Sequence, residues 1–265
     1  MIVLNWGGGT NSTALAIEAT RRGLRFDLAV FADTGSERPE TYDYLGVFRD
    51  WIGQETDADF VAVRWIRKRR SEVAEPGEFV SIHEWCERLE TLPSRAFGLS
   101  GCTSKWKQQP VDNYLRSRGD IAEIHAQGGQ VERWIGYDAD EPARSERMLK
   151  KNPDSHLWRW RTPLVEWDMG REECVKAIKG AGLPLPGKSA CWLCPSSTKR
   201  DIDRLKERHP GLLDRALSIE RTAIQAGNVK SRGGLGGRLN WSDYIEGKAS
   251  ELALPLDLAC GCFDG

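Results

Sequence analysis

The sequence predicts an α/β protein: a five-stranded parallel sheet with helices on both faces, followed by a helical, cysteine-bearing C-terminal region. Three observations carry that prediction. Strand-like apolar runs alternate with helical periodicity through residues 2–180, the pattern of βαβ units. A triple-glycine turn, Gly7-Gly8-Gly9, joins the first run to the first helical pattern. The second run is apolar throughout, as in a strand covered on both faces, and it ends in Asp33-Thr34-Gly35. At 265 residues the chain can bury one large core or a core with an appendage. The expected division is an α/β domain over 1–182, with an insertion at 67–100, and a helical region over 183–265.

Residues 2–6 form the first strand, and Ser12 or Asn11 is placed to cap the helix that follows. Ala14, Leu15, Ala16, Ile17 and Ala19 give that helix its buried side, and Gly23 ends it. Residues 26–32 are the second strand. Pro39 suits the first turn of a helix carrying Tyr42, Leu45, Phe48 and Ile52. Residues 60–66 supply the third strand, and the irregular insertion holds a short helix near 82–92. Periodicity returns in a helix over 106–116 that is entered from Cys102-Thr103, and strands follow at 131–137 and 158–166. Asp168 is expected to cap a helix that carries Cys174, Val175 and Ile178 and stops near Gly180. A Pro/Gly-rich loop at 183–197 leads to helices over 199–208 and 212–226, then to a glycine-rich segment, 231–238, and an irregular tail.

A net charge of -1 excludes a globally basic nucleic-acid binder. Local basic clusters at 64–70, 199–208 and 230–238 read first as solvated faces and second as polyanion contacts. Trp158 and Trp160, interleaved with Arg159 and Arg161, read as half-buried strand, with base stacking as the alternative. No apolar run approaches the ~20 residues of a membrane-spanning helix. The start of the chain has no basic, apolar and small-residue leader pattern, so the expected location is cytoplasmic. Seven cysteines, an odd number, then argue against a disulfide framework.

The segment Gly7, Gly8, Gly9, Thr10, Asn11, Ser12 lies where a strand gives way to a helix. Backbone N–H groups there converge on an anion at the positive end of the helix, the glycines allow close approach, and the hydroxyls add donors. No Gly-Lys-Ser/Thr follows, so this is not a Walker loop. Asp33, Thr34 and Gly35 stand one βα unit away, at the neighbouring strand tip.

Four stretches together resemble the adenine nucleotide alpha-hydrolase (PP-loop) superfamily, in particular its PAPS reductase and DndC-like branch. They are residues 7–12, similar to a Ser-Gly-Gly-x-Asp-Ser pyrophosphate loop; DTGSERPETY at 33–42; CTSKWKQQP at 102–110; and GYDADEPAR at 136–144. The resemblance implies an adenine nucleotide, ATP or PAPS, with its phosphates on the first loop and adenosine near Asp33 and Gly136. It also implies anion contacts from Lys105, Lys107 or Arg144. Asn11 replaces a loop aspartate common among ATP-cleaving members, and Asp138 and Pro142 replace the usual arginine and serine of the fourth stretch.

Cys191-Trp-Leu-Cys194 lies in a loop opened by Pro184, Pro186 and Gly187 and closed by Pro195, so both sulfurs can face one centre. Thiolates at this spacing suit zinc or an iron–sulfur cluster and require about two further ligands, for which Cys102 and the Cys260/Cys262 pair are the candidates. Cys86 and Cys174 fall in helical patterns and read as core packing. His83, His125, His156 and His209 have no paired spacing, which leaves an all-thiolate site. The resemblance favours a 4Fe-4S cluster on Cys102, Cys191, Cys194 and Cys262, with zinc as the alternative.

Three activities follow from these readings. The first is an enzyme of sulfur metabolism similar to a PAPS reductase, with Cys260 as nucleophile, Lys105 and Arg144 as catalytic cations, and a thiol or other reductant as partner. The tail Ala259-Cys-Gly-Cys-Phe departs from that family's Glu-Cys-Gly-Leu/Ile-His. The second is ATP-dependent thiolation of a nucleic acid, using the basic clusters and a sulfur donor. The third is a non-catalytic nucleotide sensor or assembly factor, motivated by Asn11 and the altered Gly136 stretch.

Overall fold

A computed structural model describes residues 1–66, 77–93, 95–96, 99–229, 234–236 and 240–248. In chain order its elements begin with β1 (Ile2–Asn5), α1 (Thr10–Arg21), β2 (Leu28–Asp33), α2 (Pro39–Glu55), β3 (Asp59–Arg64) and α3 (Ile82–Arg88). A minimal antiparallel pair, β4 (Arg95–Ala96) and β5 (Leu99–Ser100), precedes a π-helical turn (Thr103–Gln108) that runs directly into α4 (Gln109–Ser117). Then come α5 (Gly119–Ala126), β6 (Val131–Ile135), α6 (Pro142–Lys151), β7 (Trp158–Arg161), α7 (Pro163–Glu166) and α8 (Arg171–Gly180). The C-terminal region holds α9 (Lys199–Arg208), α10 (Pro210–Gln225), a 3-10 turn (Gly234–Gly236) and α11 (Trp241–Ile245).

The sheet is five-stranded and parallel in the order β3-β2-β1-β6-β7. The period-2 alternation of strands sorts its side chains onto two faces. Val3, Leu28 and Val30 pack with Val111, Leu115 and Ile121 on one side. Leu4, Ala29 and Phe31 pack with α1, α2 and α8 on the other, where Trp6 stacks on Phe48 at 4.2 Å. Connections run outward from β1 to β2 and β3, then return to the other flank as β6 and β7. The order therefore reverses between β1 and β6, and in open α/β sheets the crevice beyond the strand ends at such a switch point is where ligands bind. A second apolar cluster joins Trp65, Val80, Ile82 and Trp106 to Leu193, Ile202, Leu213 and Trp241, and so docks α9, α10 and α11 against the segment that carries α3 and the π-turn.

Several boundaries differ from the sequence expectation for identifiable reasons. α1 starts at Thr10 on Gly9, with no side-chain cap. Ser12, expected to cap, instead accepts from Gly7 N at 3.1 Å and donates to Gly9 O at 3.3 Å, which ties the loop to itself. Asp168 does not cap α8: its φ is 53°, the helix begins after Gly170, and Asp140 accepts from Arg171 N at 2.7 Å instead. The fifth strand stops at Arg161, before Thr162-Pro163, because proline has no N–H to continue the ladder. α5 and α6 add helices where the sequence suggested none, and α11 occupies part of the expected irregular tail. Gly23, at φ 69°, ends α1 as expected, with Leu24 N donating to Ala19 O.

Candidate functional site

The glycine loop owes its shape to close backbone approaches. Gly8 has φ 77°, and a Cβ there would meet Thr41 Cγ2 at 2.8 Å. A Cβ on Gly136 would meet Ser12 Cα and N at 2.7 Å, so the end of β6 lies directly on the start of α1. Among the residues beside this loop, Arg171 was not picked out by sequence. Its guanidinium donates to Asn11 Oδ1 at 2.7 Å and to Thr10 Oγ1 at 3.0 Å, and so orders the loop from the first turn of α8. At the neighbouring strand tip, Asp33 accepts from Gly35 N at 2.8 Å, Tyr42 Oη at 2.8 Å and Arg64 Nε at 2.7 Å. Gly35 has φ 68° and abuts Ser81 and Phe79.

A cavity of about 740 Å³ opens at the switch point. Gly9, Thr10 and Asn11 line one side of it, and Cys102, Cys191 and Cys194 line another. Lys107, Arg144, Arg171, Lys188 and Arg204 border it with positive charge, and Asp138, Asp140 and Glu141 contribute acids. Gly7, Gly8, Ser12, Asp33, Thr34, Gly35 and Gly136 shape the loop and strand tip behind this lining.

The sulfurs reach the cavity through local structure. Cys191 bridges to Glu37 across the β2–α2 turn, Trp192 N donates to Ser36 O at 2.9 Å, and Cys194 N donates to Cys191 O at 3.1 Å. This backbone bracket holds the Cys-x-x-Cys turn against the end of β2. Thr34 Oγ1 lies 3.3 Å from Cys191 Sγ. Burial holds the Cys191 and Cys194 thiols above their ordinary pKa; the charge of Glu37 adds to the effect at Cys191 and that of Cys102 at Cys194, while Lys107 opposes it at both. An unliganded thiolate is therefore costly here, and a soft metal centre that takes over the thiolate charge fits the donor set. Among the described residues, no three or more His, Cys, Asp or Glu are drawn together tightly enough to close such a site. Cys260 and Cys262 lie outside the described residues. Cys86 and Cys174 are buried, each pushed up to about 12 mainly by that burial.

The two lysines of the 102–110 stretch occupy different places. Lys107 is buried and pairs with Glu37 at 3.4 Å on the cavity wall. Lys105 lies outside that lining, with its ammonium 2.9 Å from the ring centre of Trp85, 4.2 Å from Trp65 and 4.5 Å from Trp106. Arg144 pairs with Glu141 at 3.1 Å and lies over the ring of Tyr137. Trp158 and Trp160 are half-buried against Arg133, whose guanidinium is 4.1 Å from the Trp160 ring centre. Among the described residues, no helix is long and apolar enough to cross a membrane.

No family profile and no curated protein matches the chain. Among solved structures it is similar to the U34-tRNA thiolase NcsA from Methanococcus maripaludis, described with its 4Fe-4S cluster. That match has 14% identity and a TM-score of 0.41, over 84% of this chain and 72% of the other. It is also similar to a phosphoadenylyl-sulfate (PAPS) reductase from Candida auris in a phosphate complex, at 12% identity and a TM-score of 0.38, over 72% of this chain and 81% of that one. The parallel β3-β2-β1-β6-β7 sheet, with a glycine loop feeding α1 and the acidic tip of β2 beside it, is the five-stranded α/β architecture that the sequence predicts.

Proposed function

We propose that the chain is an adenine-nucleotide-using enzyme of sulfur metabolism that works at the phosphosulfate or α-phosphate of its nucleotide, beside a cysteine-held metal centre. The observation that carries this reading is that Gly9, Thr10 and Asn11 share one cavity with Cys102, Cys191 and Cys194. The N-terminal N–H groups of α1 and the Thr10 hydroxyl receive phosphate oxygens, and Arg171 and Arg144 supply positive charge beside them. The tip of β2 at Asp33 borders the adenosine. Cys102, Cys191 and Cys194 would hold the centre, with Cys262 or another ligand completing it. A 4Fe-4S cluster or zinc would supply a fixed charge that tunes the field around the reacting sulfur.

With PAPS, a cysteine thiolate attacks the sulfonyl sulfur and the S–O bond to phosphate breaks. Adenosine 3′,5′-bisphosphate leaves with the bonding electron pair, and the resulting cysteine thiosulfonate is cleaved by a thiol reductant to release sulfite. Cys260 is the thiol that the resemblance assigns to this step. A second reading, ATP-dependent thiolation of a nucleic acid, draws support from Lys188 and Arg204, which are exposed at the cavity and continue onto Arg200 and Arg208 of α9. Incubation with ATP and with PAPS separates the readings. Sulfite release supports the first, pyrophosphate release in the presence of nucleic acid supports the second, and binding without turnover leaves a sensor. Anaerobic purification with a visible spectrum and metal analysis tests the centre; folded protein free of both iron and zinc would refute it.

A further inference from the structure

Three of the cations that border the cavity are each paired with an acid: Lys107 with Glu37, Arg144 with Glu141 and Lys188 with Asp201. Arg171 is held differently. Its Nη1 donates to Asn11 Oδ1 at 2.7 Å and its Nη2 to Thr10 Oγ1 at 3.0 Å, both neutral oxygens on the first turn of α1. The other end of the Asn11 amide is engaged as well, because its Nδ2 donates to Asp138 Oδ2 at 2.8 Å. Asn11 and Asp138 are buried, whereas Arg171 is exposed and lines the cavity from the start of α8. A buried amide therefore stands between a buried carboxylate and a guanidinium on the cavity wall.

That position is chemically narrow. A guanidinium only donates and an ionised carboxylate only accepts, so the residue between them must offer an acceptor to one and a donor to the other. An amide does both from two separate atoms and carries no charge of its own. An aspartate at position 11 would set a second carboxylate within hydrogen-bond distance of Asp138 and would pair with Arg171, cancelling the charge that the loop side presents. Resting on the nucleotide reading above, we propose that Asn11 is a specificity-determining residue: a neutral clamp that fixes Arg171 beside the glycine loop with its charge uncancelled, so that the site selects ligands by the negative charge of their phosphates. Two N–H groups of the guanidinium hold the loop, and the fork carries others that suit phosphate oxygens. Asp138 is a positioning residue, because it acts on Arg171 through the Asn11 amide.

The test uses the full chain, titrated calorimetrically with ATP and with PAPS in one buffer at several salt concentrations. N11D and R171Q are each expected to weaken binding of whichever nucleotide the wild type takes by about 10–100-fold. Their affinities should also fall more gently with added salt than that of the wild type, a readout that mere loosening of the loop would not move. N11A and R171A, alone and together, complete a double-mutant cycle, in which the double variant is expected to lose no more than the weaker of the two single variants. Near-ultraviolet circular dichroism checks folding, and R171Q, at an exposed residue, tests the charge even where N11D does not fold. Undiminished affinity in N11D and R171Q, or losses that add in the double variant, overturns the clamp and leaves the nucleotide reading intact. A folded wild type that binds neither ATP nor PAPS overturns both.

Discussion

A methyl group at position 136 would press on Ser12 Cα and N and on Asn11 C, all backbone, within 2.9 Å. Nothing there can rotate away, so the glycine loop itself must shift. G136A is therefore expected to lose about 1–3 kcal/mol of stability in urea unfolding and to weaken nucleotide binding in titration, although residue 136 does not line the cavity. Asp138 behaves differently, because burial, the largest cause, raises its carboxyl pKa, while Asn11 and Arg171 only partly oppose the shift. A folded-state pKa above the unfolded value of about 3.9 means that the native state holds the proton more tightly between the two, so stability falls as pH rises through that window and the deficit persists above it. D138N should be more stable than the wild type at neutral pH, with the gain shrinking toward pH 4, as paired denaturation curves would show. Asn11 and Asp138 were legible as departures from a familiar pattern. Arg171 was not: it lies 160 residues from Asn11 along the chain, and only the packing of α8 on α1 brings them together.

Among the elements, α9 shows how a local signal sets a boundary. Thr198 Oγ1 accepts from Asp201 N at 3.2 Å and Asp201 accepts from Thr198 N at 2.9 Å, a reciprocal cap that fixes the first residue at Lys199. T198A is expected to cost about 0.5–2 kcal/mol, read as a lower denaturation midpoint. Asp201 also pairs with Lys188 at the cavity, so this cap positions part of the cavity wall as well. α6 escaped notice for the opposite reason: of its ten residues only Ser145 and Met148 are buried, too few to mark a periodic face. The π-helical turn was invisible as well. Its extra residue per turn changes which side chains of the Cys102 stretch face inward, burying Thr103, Trp106 and Lys107 and turning Lys105 to the tryptophans.

At the scale of the whole molecule, one acid joins the C-terminal region together. Glu220 on α10 is fully buried and accepts from Leu235 N at 2.6 Å, Trp241 N at 2.9 Å, Ser242 N at 2.7 Å and Ser242 Oγ at 2.7 Å. Removing it strands those donors, so E220A is expected to cost about 3–5 kcal/mol and to speed proteolysis within 240–248. The thiols make a second test at this scale. C102S, C191S and C194S should each lower the iron or zinc bound per chain in metal analysis, whereas C174S, whose sulfur is packed in the sheet core, should leave it unchanged.

The sequence by itself determined the strand–loop–helix order, the parallel sheet, the glycine turn into the first helix and the Cys-x-x-Cys loop, because each is written in neighbouring residues: apolar runs, glycine at tight turns, proline around a bend. It also named the residues on two sides of the cavity. Only the tertiary structure decided that those sides face each other. The reversal of strand order between β1 and β6 opens the crevice, and the packing of α8 and of the 183–197 loop fills its walls with Arg171 and the sulfurs. The contacts that make it a site, Arg171 to the loop, Asn11 to Asp138 and Cys191 to the turn after β2, join residues more than 100 positions apart. No local pattern records such pairs, because they are selected by the free energy of burying a common core and not by the conformational preference of any one segment.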